Sequence, residues 1–229
     1  MKRRAFLAAS LTSLAILVST APPVQAAGGS NDPFAYVPAD AATVGQVRFA
    51  DLKSNPLGAR LFREADQVTV DGDAARFLEE TRLRPTEDVD VLTVAFRSNT
   101  NGSNGEALAI FEGRFDPAKL EAALVARGGR KVTTPAGDYV ILPKGKDGKE
   151  SDGAVALVSR QLVVAGNTEA VGKALARQGG SEASFRDSRG LARHMGRIES
   201  GASAWALVDA NRYQSAKKAM ESRAHDGDS

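Results

Sequence analysis

Apolar residues recur along this chain with two different periods, and the switches between them divide it into strands and helices. Val47 and Phe49 alternate with Gln46 and Arg48, the period-two pattern of a half-buried strand. Ser54-Asn55-Pro56 then supplies a cap and a first-turn proline, followed by Leu57, Leu61 and Ala65 at i, i+4 and i+8. A second short helix is expected from Asp73 to Leu83, with Phe77 and Leu78 inward. Val89 to Phe96 is apolar on both faces and belongs in the middle of a sheet, with Leu108 to Phe115 as its hairpin partner. Between them, Ser98 to Gly105 holds only Ser, Asn, Thr and Gly, a hairpin tip.

The strongest helix signal follows. Asp116 is placed to cap, Pro117 to occupy the first turn, Leu120 and Leu124 to face inward, and Gly128-Gly129 to stop the helix. Lys131 to Leu142 reads as a hairpin turning at Pro135 to Asp138, and Ala154 to Ala165 as another turning near Arg160. Thr168 to Gln178 is a helix ended by Gly179-Gly180, and Ser188 to Glu199 a further one. A strand through Trp205, Leu207 and Val208 and a last helix from Asn211 complete the pattern.

Glu106 to Gly129 and Gln161 to Gly180 share the order strand, capped helix, Gly-Gly. Neighbouring strands joined by tight hairpins make an antiparallel sheet, which amphipathic helices then cover. The expected fold class is α+β: an antiparallel sheet with its helices on one face, built from two similar strand–strand–helix halves. Residues 34–223 form the single domain, 27–33 a linker and 224–229 a polar tail.

The first 26 residues read as an export signal. Lys2, Arg3 and Arg4 precede an apolar stretch from Ala5 to Ala21, and Val24-Gln25-Ala26 offers small residues for cleavage between Ala26 and Ala27. The stretch is 17 residues long and carries Ser10, Thr12, Ser13, Ser19 and Thr20. A membrane span needs roughly 20 predominantly apolar residues, so no transmembrane anchor is expected in the mature chain. Arg3-Arg4-Ala5-Phe6-Leu7 resembles the twin-arginine export consensus; a general secretory signal fits the same residues. The expected location is periplasmic or secreted.

Further junctions carry a family resemblance. Tyr36-Val37-Pro38-Ala39-Asp40, Gly113-Arg114-Phe115-Asp116 and the strand end from Leu162 to Gly166 together resemble an exported bacterial family of unknown function, over about Tyr36 to Tyr213. The resemblance implies a signal peptide, a Pro-Ala-Asp opening and repeated strand–strand–helix units. It brings no activity and no functional residue.

Composition removes whole classes of chemistry. No Cys is present in the 229 residues, which excludes thiol catalysis, iron–sulfur clusters, disulfides and a lipoprotein anchor. Two His, His194 and His225, are too few for a multi-histidine metal site, and no cofactor is implied. Charge is 30 basic against 28 acidic; without Lys2, Arg3 and Arg4 it becomes 27 against 28, or −1, which withdraws support for a nucleic-acid role.

Each motif match fails at a residue its chemistry requires. Gly166-Asn167-Thr168-Glu169-Ala170-Val171-Gly172-Lys173 resembles a phosphate loop, but five residues separate its glycines and Ala174 replaces the magnesium-binding hydroxyl. Ser215-Ala216-Lys217-Lys218 lacks the partner motifs of penicillin-recognising enzymes. His194 with Asp187 and Ser184 or Ser188 lacks a nucleophile elbow, and His194 beside Leu191 and Ile198 reads as a packed boundary residue. Counting from Asp71 in Asp71-Gly72-Asp73, a calcium loop would have Ala75 at position 5 and Arg82 at position 12. Asp226-Gly227-Asp228 is a second such pair, and Asn101-Gly102-Ser103 a formal glycosylation sequon.

One binding surface remains. On an α-helix from Ser188 to Glu199, Arg189, Arg193 and Arg197 would align at i, i+4 and i+8 as a basic face. An envelope protein or an anionic polymer is the matching partner. The sequence therefore favours an exported, non-enzymatic α+β module, with a hydrolase built on a carboxylate or serine centre as the alternative.

Overall fold

The structure is a computed structural model, and it describes residues 31–53, 73–97, 105–143 and 152–212. The signal with its Ala26–Ala27 junction, the Leu57–Ala65 helix, the 98–104 tip, Asp71-Gly72, the 213–229 segment with Ser215 to Lys218, and the tail all lie outside the described residues.

Eight strands form one sheet: β1 (Thr43–Arg48), β2 (Val89–Arg97), β3 (Glu106–Gly113), β4 (Arg130–Thr134), β5 (Gly137–Ile141), β6 (Gly153–Leu157), β7 (Leu162–Asn167) and β8 (Ala204–Val208). Their order is β4-β5-β6-β7-β3-β2-β1-β8, and each neighbouring pair is antiparallel. Among the described residues five α-helices accompany them: α1 (Phe49–Lys53), α2 (Asp73–Thr81), α3 (Pro85–Asp88), α4 (Pro117–Ala126) and α5 (Thr168–Gln178). The α+β class and the antiparallel sheet are those expected, and no described helix is long and apolar enough to cross a membrane.

The helices do not share one face. Leu108 and Ile110 of β3, Ala154 and Ala156 of β6, and Leu162 and Val164 of β7 point into a core with Ala170, Val171, Ala174 and Leu175 of α5. The alternate residues Phe111, Val155, Leu157, Val163 and Ala165 face Leu120 and Leu124 of α4 and Phe77 of α2 across an apolar space of about 340 Å³. The expectation of a single covered face is therefore corrected to α5 on face one and α2 with α4 on face two. The reason is visible in β7, where Leu162, Val163 and Val164 are all buried, so both faces of the strand need a cover. The hairpin–helix order repeats, β2-β3-α4 and β6-β7-α5, but the two helices part to opposite sides.

Helix ends follow the local chemistry. The Asp116 carboxylate accepts from Lys119 N at 3.2 Å with Pro117 in the first turn, and Gly128 leaves α4 at a φ of +91°. Gly180 ends α5 the same way at +78°. At the start of the fold, Asn31 to Pro33, assigned to the linker by sequence, are held on the body. Asp32 accepts from Phe34 N and pairs with Arg186, Pro33 is buried, and Asn31 donates to Gln161 at 2.7 Å. Tyr36 and Val37 then enter the face-one core with no exposed surface.

Candidate functional site

An open cleft of about 810 Å³ runs between strand β8 and the segment before it, lined on one side by Leu191, Arg193, His194, Arg197 and Ile198 and on the other by Ala204 to Asp209. The segment is a 3-10 helix, Leu191–Arg197, and not the α-helix expected over Ser188 to Glu199. The Ser188 hydroxyl, at the start of that range, accepts from Gly190 N at 3.0 Å, and Gly190 enters the helix without a side-chain cap. Gly196 also lowers helix propensity inside the last turn. At three residues per turn, side chains four apart point about 120° away from one another. The three arginines therefore form no single stripe. Arg189 lies before the helix and outside the cleft lining, while Arg193 and Arg197 both line the cleft from the helix side.

Leu191 is buried and Met195 packs against the face-one core, which fixes the helix on the side of the sheet carrying Trp205 and Leu207. The Trp205 ring stacks on Phe34, with centroids 6.1 Å apart, and Phe34 in turn meets Phe185 at 5.7 Å. The N-terminal segment thus anchors one wall of the cleft.

β8 is the last strand among the described residues on this side of the sheet. Asp209 N donates to Ala42 O and Arg48 N to Ser203 O, each at 2.8 Å. With the register Val44↔Leu207 and Gln46↔Trp205, alternation turns the N–H and C=O groups of Ala204, Ala206 and Val208 away from β1. Those groups face the cleft, and among the described residues no strand accepts them. Sequence reasoning found the strand but not its edge position, since pairing with β1 joins residues that no local pattern connects.

The charges of the cleft are unbalanced. Among the described residues Arg193 and Arg197 make no ion pair, whereas Arg48, Arg84, Arg97, Arg114, Arg127, Arg177, Arg186 and Arg212 all do. Asp209 is occupied by Arg212 at 3.5 Å, which leaves Glu199 as the remaining acidic group on the lining. His194 accepts from Arg193 Nε at 3.1 Å through Nε2.

The other sequence candidates have structural partners. Ser184 and Asp187 form a capping box, with the Ser184 hydroxyl donating to Asp187 at 2.9 Å, and the Asp187 carboxyl is held below the usual range by the Ser184 N–H. His194 bonds to neither. In the loop resembling a phosphate cradle, a side chain at Gly166 would meet Ala107 O at 2.3 Å, so glycine is required for strand β7 to approach β3. Lys173 bonds Glu169 at 2.6 Å, the chief reason its ammonium titrates above the ordinary lysine range.

Lys173 also belongs to a buried cluster that no motif revealed. Glu106, 3% exposed at its side chain, accepts from Arg97, from Arg177 at 2.7 Å, and lies 3.3 Å from Lys173. Arg177 further pairs with Glu182 at 3.1 Å. This cluster ties the end of α5 to the β2–β3 hairpin, because a buried carboxylate is tolerable only when its charge is matched. Among the described residues no three His, Cys, Asp or Glu side chains converge as a metal site. The chain matches no protein-family model, no curated protein and no solved structure.

Proposed function

We propose that this protein is an exported, non-enzymatic binding module of the cell envelope that holds a partner protein by adding an extended segment of it to the edge of β8. The carrying observation is the row of outward N–H and C=O groups at Ala204, Ala206 and Val208, opening into a cleft rather than against another described strand. An unpaired edge is a template for another strand, and main-chain hydrogen bonds supply much of the affinity in such complexes. The export component rests on the Lys2-Arg3-Arg4 signal and its Ala26–Ala27 junction. The hydrolase alternative draws no support from Ser184, Asp187 and His194, which are engaged in a cap and with Arg193.

The test is a panel of peptides selected from a random displayed library against the whole exported protein. Ala206→Pro removes an outward N–H without touching the ladder to β1, a substitution an edge strand tolerates. Selected peptides are expected to lose at least about tenfold in affinity on Ala206→Pro or on N-methylation of their alternate amides. Unchanged binding, failure to select any peptide, or full displacement by a strandless polyanion such as dextran sulfate overturns the reading.

A further inference from the structure

The two faces flanking the β8 edge differ in chemistry, and an added strand must present its alternate side chains to both. On face one, next to Trp205 and Leu207, stand Arg193 and Arg197, exposed and without an ion pair among the described residues. On face two, Ala204, Ala206 and Val208 are exposed, Val208 at 51%. That row continues inward through the pairings Ala204↔Val47↔Leu92 and Ala206↔Gly45↔Val94, with Val94 itself 42% exposed. Gly45 leaves the row shallow, because its missing side chain would have lain 3.5 Å from both Ala206 and Val94.

Resting on the edge-docking reading, we infer that the segment captured at β8 alternates acidic and apolar residues, its carboxylates toward Arg193 and Arg197 and its apolar side chains toward Ala206 and Val208. Both requirements come from the same strand geometry. An acidic residue on face two would lie on apolar surface with no cation in the row, and an apolar residue on face one would leave two guanidiniums unanswered. A uniformly acidic segment satisfies one face and a uniformly apolar segment the other. Alternation satisfies both. Glu199 on the cleft lining adds a repulsion that disfavours a carboxylate placed next to it.

Three synthetic octapeptides of matched length decide this: one alternating Glu and Val, one with the same residues in two blocks, and one alternating Lys and Val. The acidic alternating peptide is expected to bind the whole exported protein about tenfold or more tighter than either other, with affinity falling as salt rises. The double variant Arg193→Glu with Arg197→Glu changes exposed residues only, and is expected to reverse the preference toward Lys. Equal binding of the block and alternating peptides, or an unreversed preference in the double variant, overturns the inference. If Ala206→Pro still abolishes binding in that case, edge docking stands and only the residue pattern is lost. If the alternating peptide binds Ala206→Pro as tightly as the unaltered protein, the docking reading itself has failed.

Discussion

Single residues in this protein are read by their partners. Glu106 is buried among three cations, so its charge stabilises packing and is not free to act on a ligand. Glu112 on β3 is different. Burial, and secondarily the carboxylate of Asp32, pushes its carboxyl above the ordinary range, and the same pair of causes raises the Tyr36 hydroxyl to about 12. The folded state therefore holds the Glu112 proton more tightly than the unfolded chain does. Below the unfolded value of about 4.3 both states are protonated and no penalty exists; as pH rises through the folded value the penalty becomes complete. Glu112→Gln is expected to be more stable than the unaltered protein at pH 7, and the gap is expected to close below about pH 4. Urea unfolding at the two pH values checks this, and a gap independent of pH would contradict it.

At the scale of elements, what the sequence shows is what local chemistry decides. Asp116, Pro117 and Gly128 bound α4 because a cap, a first-turn proline and a positive-φ residue act within one turn. Leu120 and Leu124 are buried as their spacing requires. Leu124→Ala is expected to cost about 2–5 kcal/mol, read from the denaturation midpoint at unchanged slope. A loss under about 0.5 kcal/mol would place that face of α4 in solvent. The arginine spacing misled for a physical reason: Arg189, Arg193 and Arg197 make a stripe only at 3.6 residues per turn. Gly190 and Gly196 leave the segment a 3-10 helix instead. Likewise, nothing local announces that Glu106 meets Arg177, 71 residues later, or that β8 lies at an edge.

For the molecule as a whole, hairpins were legible and their assembly was not. The pairings β2–β3, β4–β5 and β6–β7 are sequence neighbours, whereas β3–β7 and β1–β8 are decided by which apolar faces match across distant chain. The buried trio Leu162, Val163 and Val164 is the sequence feature that demands two covers, one on each face of the sheet. The export component of the function is tested on the intact chain. Mass spectrometry of the exported protein is expected to show an N-terminus at Ala27, and retention of Met1 to Ala26 would contradict the signal reading.

The pairing of β8 with β1 has a consequence for how the chain assembles in time. Val44 and its partner Leu207 are 163 residues apart (207 − 44), against 54 for Ile110 and Val164 at the β3–β7 seam (164 − 110). Closing so long a loop is entropically the costliest pairing in the sheet, and contacts of that separation form slowly. Until β8 arrives, the outer ladder groups of β1 are themselves an open template. Pairing with β8 thus moves the outer edge of the described sheet by one strand, from β1 to β8. The β8 edge of the proposed docking then exists only in molecules whose first and last described strands have already met.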